Sequence, residues 1–76
     1  MSKPMEYGWV HAGTLGKRYN YYKRDIFRLA QENGLRMLAI RGRMAINVQD
    51  WNLLAASLGW PLVLDPAIVL VAEEEA

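Results

Sequence analysis

Cysteine is missing from this 76-residue chain, which excludes disulfide staples, thiolate metal sites and thiol nucleophiles together. Secreted domains of this size ordinarily need such staples, so a reducing cytoplasm is the expected compartment. Histidine is nearly missing. His11 stands alone, with no carboxylate at metal-ligand spacing near it, and a lone histidine in a glycine-rich loop reads as surface or packing material. Long hydrophobic runs are missing too. The longest, residues 67–72, is far too short to span a bilayer. The first six residues carry Lys3 and Pro4 with no apolar run behind them, which does not read as a signal peptide. Ser2 and Ser57 lack a nucleophile context. Gly13 and Gly16 sit at GxxG spacing without a strand-to-helix phosphate loop around them. With so few reactive groups, no enzyme, cofactor, metal or membrane partner is expected.

What is there is apolar and aromatic. Hydrophobic residues make up 53% of the chain, including three Trp, four Tyr and one Phe, too many for a disordered segment. A chain near this length buries only roughly 60% of its unfolded surface, so residues 1–76 must form one domain around one core. The net charge of +1 hides an asymmetry: residues 1–60 hold all nine bases and four acids, while residues 61–76 hold four acids and no base. Within residues 17–43, eight bases and two acids leave a local +6.

The density of Pro4, Gly8, Gly13 and Gly16 predicts a loop-rich segment over residues 1–16, with a short strand at Tyr7, Trp9 and Val10. Residues 20–33 predict a helix: Tyr22, Ile26, Leu29 and Ala30 fall on one face, widened by Phe27. Asn20 suits the start and Gly34 the left-handed residue past the end. Alternating runs over residues 35–40 and 44–48 flank Arg41-Gly42-Arg43 and predict a β-hairpin with a bulged or three-residue loop. A second helix is predicted from Asn47 to Leu58 on the period Trp51, Leu54, Ala55, Leu58, with Asn47 and Asp50 placed as a capping box and Gly59 as the stop. Residues 62–64 and 67–72 read as one or two β segments about a turn at Asp65-Pro66, open as an edge to a second chain. Residues 73–76 read as an acidic tail. The expected fold class is α+β, a helix–hairpin–helix core with an added C-terminal β segment.

The run Lys17, Arg18, Tyr19, Asn20, Tyr21, Tyr22, Lys23, Arg24 interleaves cations with rings. That mixture suits single-stranded nucleic acid and equally a protein hot spot. A plainer reading makes Tyr22 core, a second Tyr a packing lid and the charges a solvated face. The candidate partner-binding residues are Lys17, Arg18, Tyr19, Tyr21, Lys23, Arg24 and Arg28, with Arg41 and Arg43 at the hairpin tip.

Helix, basic-tipped hairpin and helix across residues 21–58 resemble the core of excisionase-type winged helix-turn-helix regulators. That resemblance implies a helix over residues 24–33 in the major groove, with Arg24, Arg28 and Gln31 toward bases or phosphates and Arg41 and Arg43 as wing contacts. The family has a first helix and tight turn at the place where this chain has Gly8, Gly13 and Gly16. The chain as a whole, through Tyr7-Gly8-Trp9-Val10 and residues 17–27, is similar to small RNA-polymerase-binding regulators of lytic Xanthomonas bacteriophages. This second resemblance implies a protein of the bacterial host cytoplasm that binds a large polymerase subunit, inhibits initiation and promotes antitermination; a monomer is expected. With no first helix expected to present a groove-reading surface, the polymerase partner is the favoured expectation and direct DNA binding the alternative.

Overall fold

Ala12, Leu15, Gly16 and Tyr19 stand at i, i+3, i+4 and i+7, a helical stripe that the surrounding glycines obscure. In the computed structural model, which describes residues 8–71, this stripe is real. A strand β1 (Gly8–His11) runs directly into a helix α1 (Ala12–Tyr19), and Ala12, Leu15 and Gly16 are buried. The expectation of a loop-rich start is thereby corrected over residues 8–16; Tyr7 and the acidic tail lie outside the described residues. Tertiary burial of Leu15 and Val10 outweighs the roughly 1 kcal/mol that each helical glycine costs.

The next helix, α2 (Lys23–Glu32), begins three residues later than expected. Asn20 does not open it. Asn20 is instead the left-handed residue that closes α1, at φ 63° and ψ 44°, and the Tyr21 N–H returns to the Gly16 carbonyl at 2.8 Å. The same closure recurs at the other helix ends. Leu35 donates to Ala30 O and Gly34 to Gln31 O; Trp60 donates to Ala55 O and Gly59 to Ala56 O. Both glycines have positive φ, the Schellman arrangement that satisfies orphan carbonyls.

A hairpin follows, β2 (Met37–Ile40) and β3 (Arg43–Asn47), then α3 (Val48–Leu58). Ile40 pairs with Arg43, so the loop is the two residues Arg41-Gly42, shorter than expected. Both have positive φ, 56° and 77°, the signature of a type I′ turn whose twist matches the strands. Arg43 therefore belongs to a strand and Arg41 alone leads the tip. Asn47 caps α3 by accepting from the Asp50 N–H at 3.0 Å. Beyond Gly59, residues 62–64 form no strand. Val63 is buried there, held by Asn52, whose side chain accepts from Val63 N at 2.7 Å and donates to Val63 O at 3.0 Å. A 3-10 turn at Pro66–Ile68, capped by Asp65, leads to β4 (Leu70–Val71). The four strands form one antiparallel sheet in the order β2-β3-β1-β4. The expected α+β class is what forms.

The core gathers Val10, Leu15, Ile26, Ile46, Val48, Trp51, Ala55 and Val63 at full burial, each large side chain contributing about 1.5–3 kcal/mol. Rings extend it. Tyr19 lies 5.3 Å from Trp51 and 5.7 Å from Trp60, centroid to centroid, and its hydroxyl donates to the Pro61 carbonyl. Tyr22, which the plainer reading of the run made core, is 71% exposed. The later start of α2 leaves Tyr22 outside the helix as its N-cap residue. The lid is Tyr19, carried there by the unexpected α1.

Candidate binding surface

Two helices joined by a three-residue turn, with a tight hairpin after them, follow the element order of a helix-turn-helix with a wing. Gly16 makes the turn possible. A Cβ on it would sit 2.7 Å from the Tyr21 carbonyl oxygen and 3.3 Å from Lys23 N, so only a bare α-carbon lets the start of α2 lie against α1.

On α2, Ile26 and Ala30 face the core, while Arg24, Arg28 and Gln31 are exposed at i, i+4 and i+7. Arg24 lies over the Tyr22 ring, 5.4 Å from its centroid, which holds a guanidinium and an exposed ring as one unit. Lys17, Arg18, Lys23, Arg41 and Arg43 are exposed as well. Of the expected contact residues, only Tyr19 is withdrawn, into the aromatic core. Tyr21 is split in role: half its surface is open, and its ring lies 5.3 Å from Trp60.

Flanking α2 are two depressions of opposite character. One, about 160 Å³, is mainly polar and opens between α1, α2 and β3, lined by His11, Gly13, Thr14, Lys17, Lys23 and Arg43, with Met44 as its apolar member. His11 Nε2 donates to the Ile40 carbonyl at 3.0 Å, tying the hairpin beside its turn to the junction of β1 and α1. His11, Gly13 and Thr14 belong to the first turn of α1, which has no side-chain cap. The other depression, about 320 Å³, is apolar and lies between α2 and the end of α3, lined by Tyr21, Ile26, Leu29, Leu58 and Trp60, with Asp25.

One ion pair occurs among the described residues, and it is away from these depressions. Arg36 grips Asp50 with a fork, Nε to Oδ2 at 2.9 Å and Nη2 to Oδ1 at 3.0 Å, and its backbone N–H adds a bond to Oδ2 at 3.0 Å. Nη2 also donates to Asn47 Oδ1 at 3.2 Å. The Arg36 hydrogen bonds hold the Asp50 carboxyl below its ordinary range, against a smaller opposing effect of burial, and Asp50 in turn raises Arg36. This cluster fastens the entry of β2 to the start of α3. Arg36 is thus structural, while the other described cations have no carboxylate partner among the described residues.

The sequence reading missed Thr14 and His11 as neighbours of the basic residues. The signal was the helical stripe of α1, which would have brought Thr14 and Lys17 onto one side of a helix. Among the described residues no group of three or more metal-binding side chains occurs, and no helix is long and apolar enough to cross a membrane. No family model, curated protein or solved structure matches the chain.

Proposed function

We propose that this chain is a non-catalytic transcription regulator whose winged helix-turn-helix binds duplex DNA. The observation that carries the reading is the α1–turn–α2 unit packed through Gly16, followed at once by a tight basic-tipped hairpin. Its absence from the sequence expectation was the reason to favour a protein partner. A major groove about 12 Å wide admits a helix such as α2. Arg24 and Arg28 suit guanine edges or phosphates, and Gln31 suits adenine. Arg41 supports the same reading. A left-handed backbone is most comfortable with Gly, Asn or Asp, so an arginine at φ 56° trades stability for a guanidinium at the tip, where a wing meets the backbone or minor groove.

The test is fluorescence anisotropy of a labelled duplex across a salt series. Binding should weaken steeply as salt rises, because each phosphate contact releases counterions. No binding at low salt would refute the reading.

The apolar depression beside α2 favours a second reading, docking on a large subunit of host RNA polymerase with inhibition of initiation and antitermination. Tyr21 and Leu58 are 48% and 45% exposed there, and rings with Leu at a concave apolar site suit a protein anchor better than a phosphate backbone. Retention by purified polymerase at micromolar concentration, lost in Leu58→Glu, is the expected result. Equal retention of both proteins, or of neither, counts against it.

A further inference from the structure

The polar cleft is more specific than a basic surface. Lys17 enters it from α1, Lys23 from α2 and Arg43 from β3. All three are exposed, and none has a carboxylate partner among the described residues. Where the fold needs a cation neutralised it supplies an acid, as Asp50 does for Arg36. Among the described residues no acid lines the cleft. Like charges around one opening repel one another, and an anion relieves that field. The remaining lining is the Thr14 hydroxyl, the His11 ring, Gly13 and the apolar side chain of Met44. A Cβ on Gly13 would lie 3.6 Å from Lys23 Cδ, so the lysine stem crosses the helix at a residue without a side chain. The volume, about 160 Å³, exceeds the roughly 30 Å³ share of a water molecule several-fold, room for a tetrahedral anion and water.

We infer that this cleft is a phosphate-binding site that takes one phosphodiester of a nucleic-acid strand, clamping it between the helix pair and the hairpin. The inference rests on the DNA-binding reading for the source of the phosphate, and on the cleft alone for the chemistry. Arg43 supplies a planar fork and the two lysines compact charges. Such a contact carries no base information; it fixes register. Because the same anion would touch the start of α2 and a wing strand, it would set how deeply α2 enters the groove.

The decisive variant is Lys23→Gln with Arg43→Gln, which keeps the side-chain stems, with its melting temperature checked against wild type. Inorganic phosphate is titrated into labelled protein at constant ionic strength, with chloride as the matched control. The amides of Thr14, Lys17, Lys23 and Arg43 should shift with phosphate alone, and the variant should lose the response. In duplex binding the variant's slope of log K against log salt should be shallower by about 0.9, the contribution of the one phosphate the cleft neutralises. Between about 50 and 200 mM salt the wild type should then lose about 3.5-fold more affinity than the variant. Duplex binding with an unchanged slope overturns the site and leaves the DNA reading standing. Phosphate shifts in a protein that binds no duplex keep the site and overturn the DNA reading. Where no duplex binds and no phosphate-specific shift occurs, both fall.

Discussion

Gly13 and Gly16 lie one turn apart in α1, yet replacing each with alanine should change stability in opposite directions. In an isolated helix either change would gain about 1 kcal/mol, because alanine is the better helix former. Position 13 has room for that gain: the nearest atom to a new Cβ is the flexible Lys23 stem at 3.6 Å. Gly13→Ala should therefore stabilise by about 0.5–1 kcal/mol. At position 16 the new Cβ would meet the Tyr21 carbonyl oxygen at 2.7 Å. That oxygen sits on the Tyr21–Tyr22 peptide, which is anchored on both sides: the Tyr21 N–H donates to the Gly16 carbonyl at 2.8 Å, and the Tyr22 carbonyl accepts from the Asp25 and Ile26 N–H groups at 3.0 and 3.1 Å. The turn or the whole of α2 must move, and overpacking of this kind costs about 1–3 kcal/mol. After the helix gain, a net loss of up to about 2 kcal/mol remains for Gly16→Ala. In a domain of this size 1 kcal/mol moves the melting temperature by about 4–8 °C. Far-ultraviolet circular dichroism melts of the three proteins suffice: Gly13→Ala above wild type, Gly16→Ala below it. A Gly16→Ala protein that melts above wild type, as Gly13→Ala should, would show that α1 and α2 do not meet as described, and the helix-turn-helix reading would go with it.

Arg41→Asn should raise stability by up to about 1 kcal/mol, because Asn-Gly is the preferred type I′ pair, while weakening duplex binding; melts and anisotropy on the same sample check both, and a gain in affinity would remove Arg41 from the interface. Asp50 has a folded pKa below its unfolded value, so the stability it supplies is present above the ordinary carboxylate range and is lost as pH falls through the folded value. Melts taken below about pH 4 should show that loss in wild type and a flatter response in Asp50→Asn; equal slopes would show that the Arg36 fork contributes nothing. Ile26→Ala removes a fully buried side chain from α2 and should cost about 2–5 kcal/mol, a large part of the roughly 5–15 kcal/mol available; urea unfolding with an unchanged midpoint would contradict the burial.

The cations were legible in the sequence because desolvating an unpaired charge is expensive, so Lys17, Arg18, Lys23, Arg24, Arg28, Arg41 and Arg43 had to lie outside. The hairpin, the cap at Asn47 and the stops at Gly34 and Gly59 were legible because each depends on neighbours in the chain. Failures came where one residue type serves two opposite purposes. Asparagine caps helix starts through its side chain and closes helix ends by tolerating a left-handed backbone. Asn20, read as the first, is the second, and this single reversal hid α1, moved the start of α2 and exchanged the roles of Tyr19 and Tyr22. Glycine misled in the same way. At Gly16 it is not a helix breaker but the residue that lets Tyr21 O approach, a fact about a contact five positions away that local propensity does not encode.

The consequence reaches the binding surface. Without α1 the basic run of residues 17–24 is a patch of charge with no fixed geometry, and a patch suits a protein as well as a nucleic acid. With α1 in place, the run is divided. Tyr19 goes to the core beside Trp51 and Trp60, Tyr21 to the apolar depression, and Lys17 and Lys23 to the polar cleft that Arg43 completes from a strand some twenty residues further on. Opposite flanks of α2 thus carry opposite chemistry. A helix so divided can face a phosphate backbone on one side and an apolar protein surface on the other at the same time, as a regulator acting where DNA meets polymerase would require. Lys23→Gln with Arg43→Gln should then impair only duplex binding, and Leu58→Glu only polymerase retention. A single variant that abolished both, with its fold intact, would show that α2 presents one surface and not two.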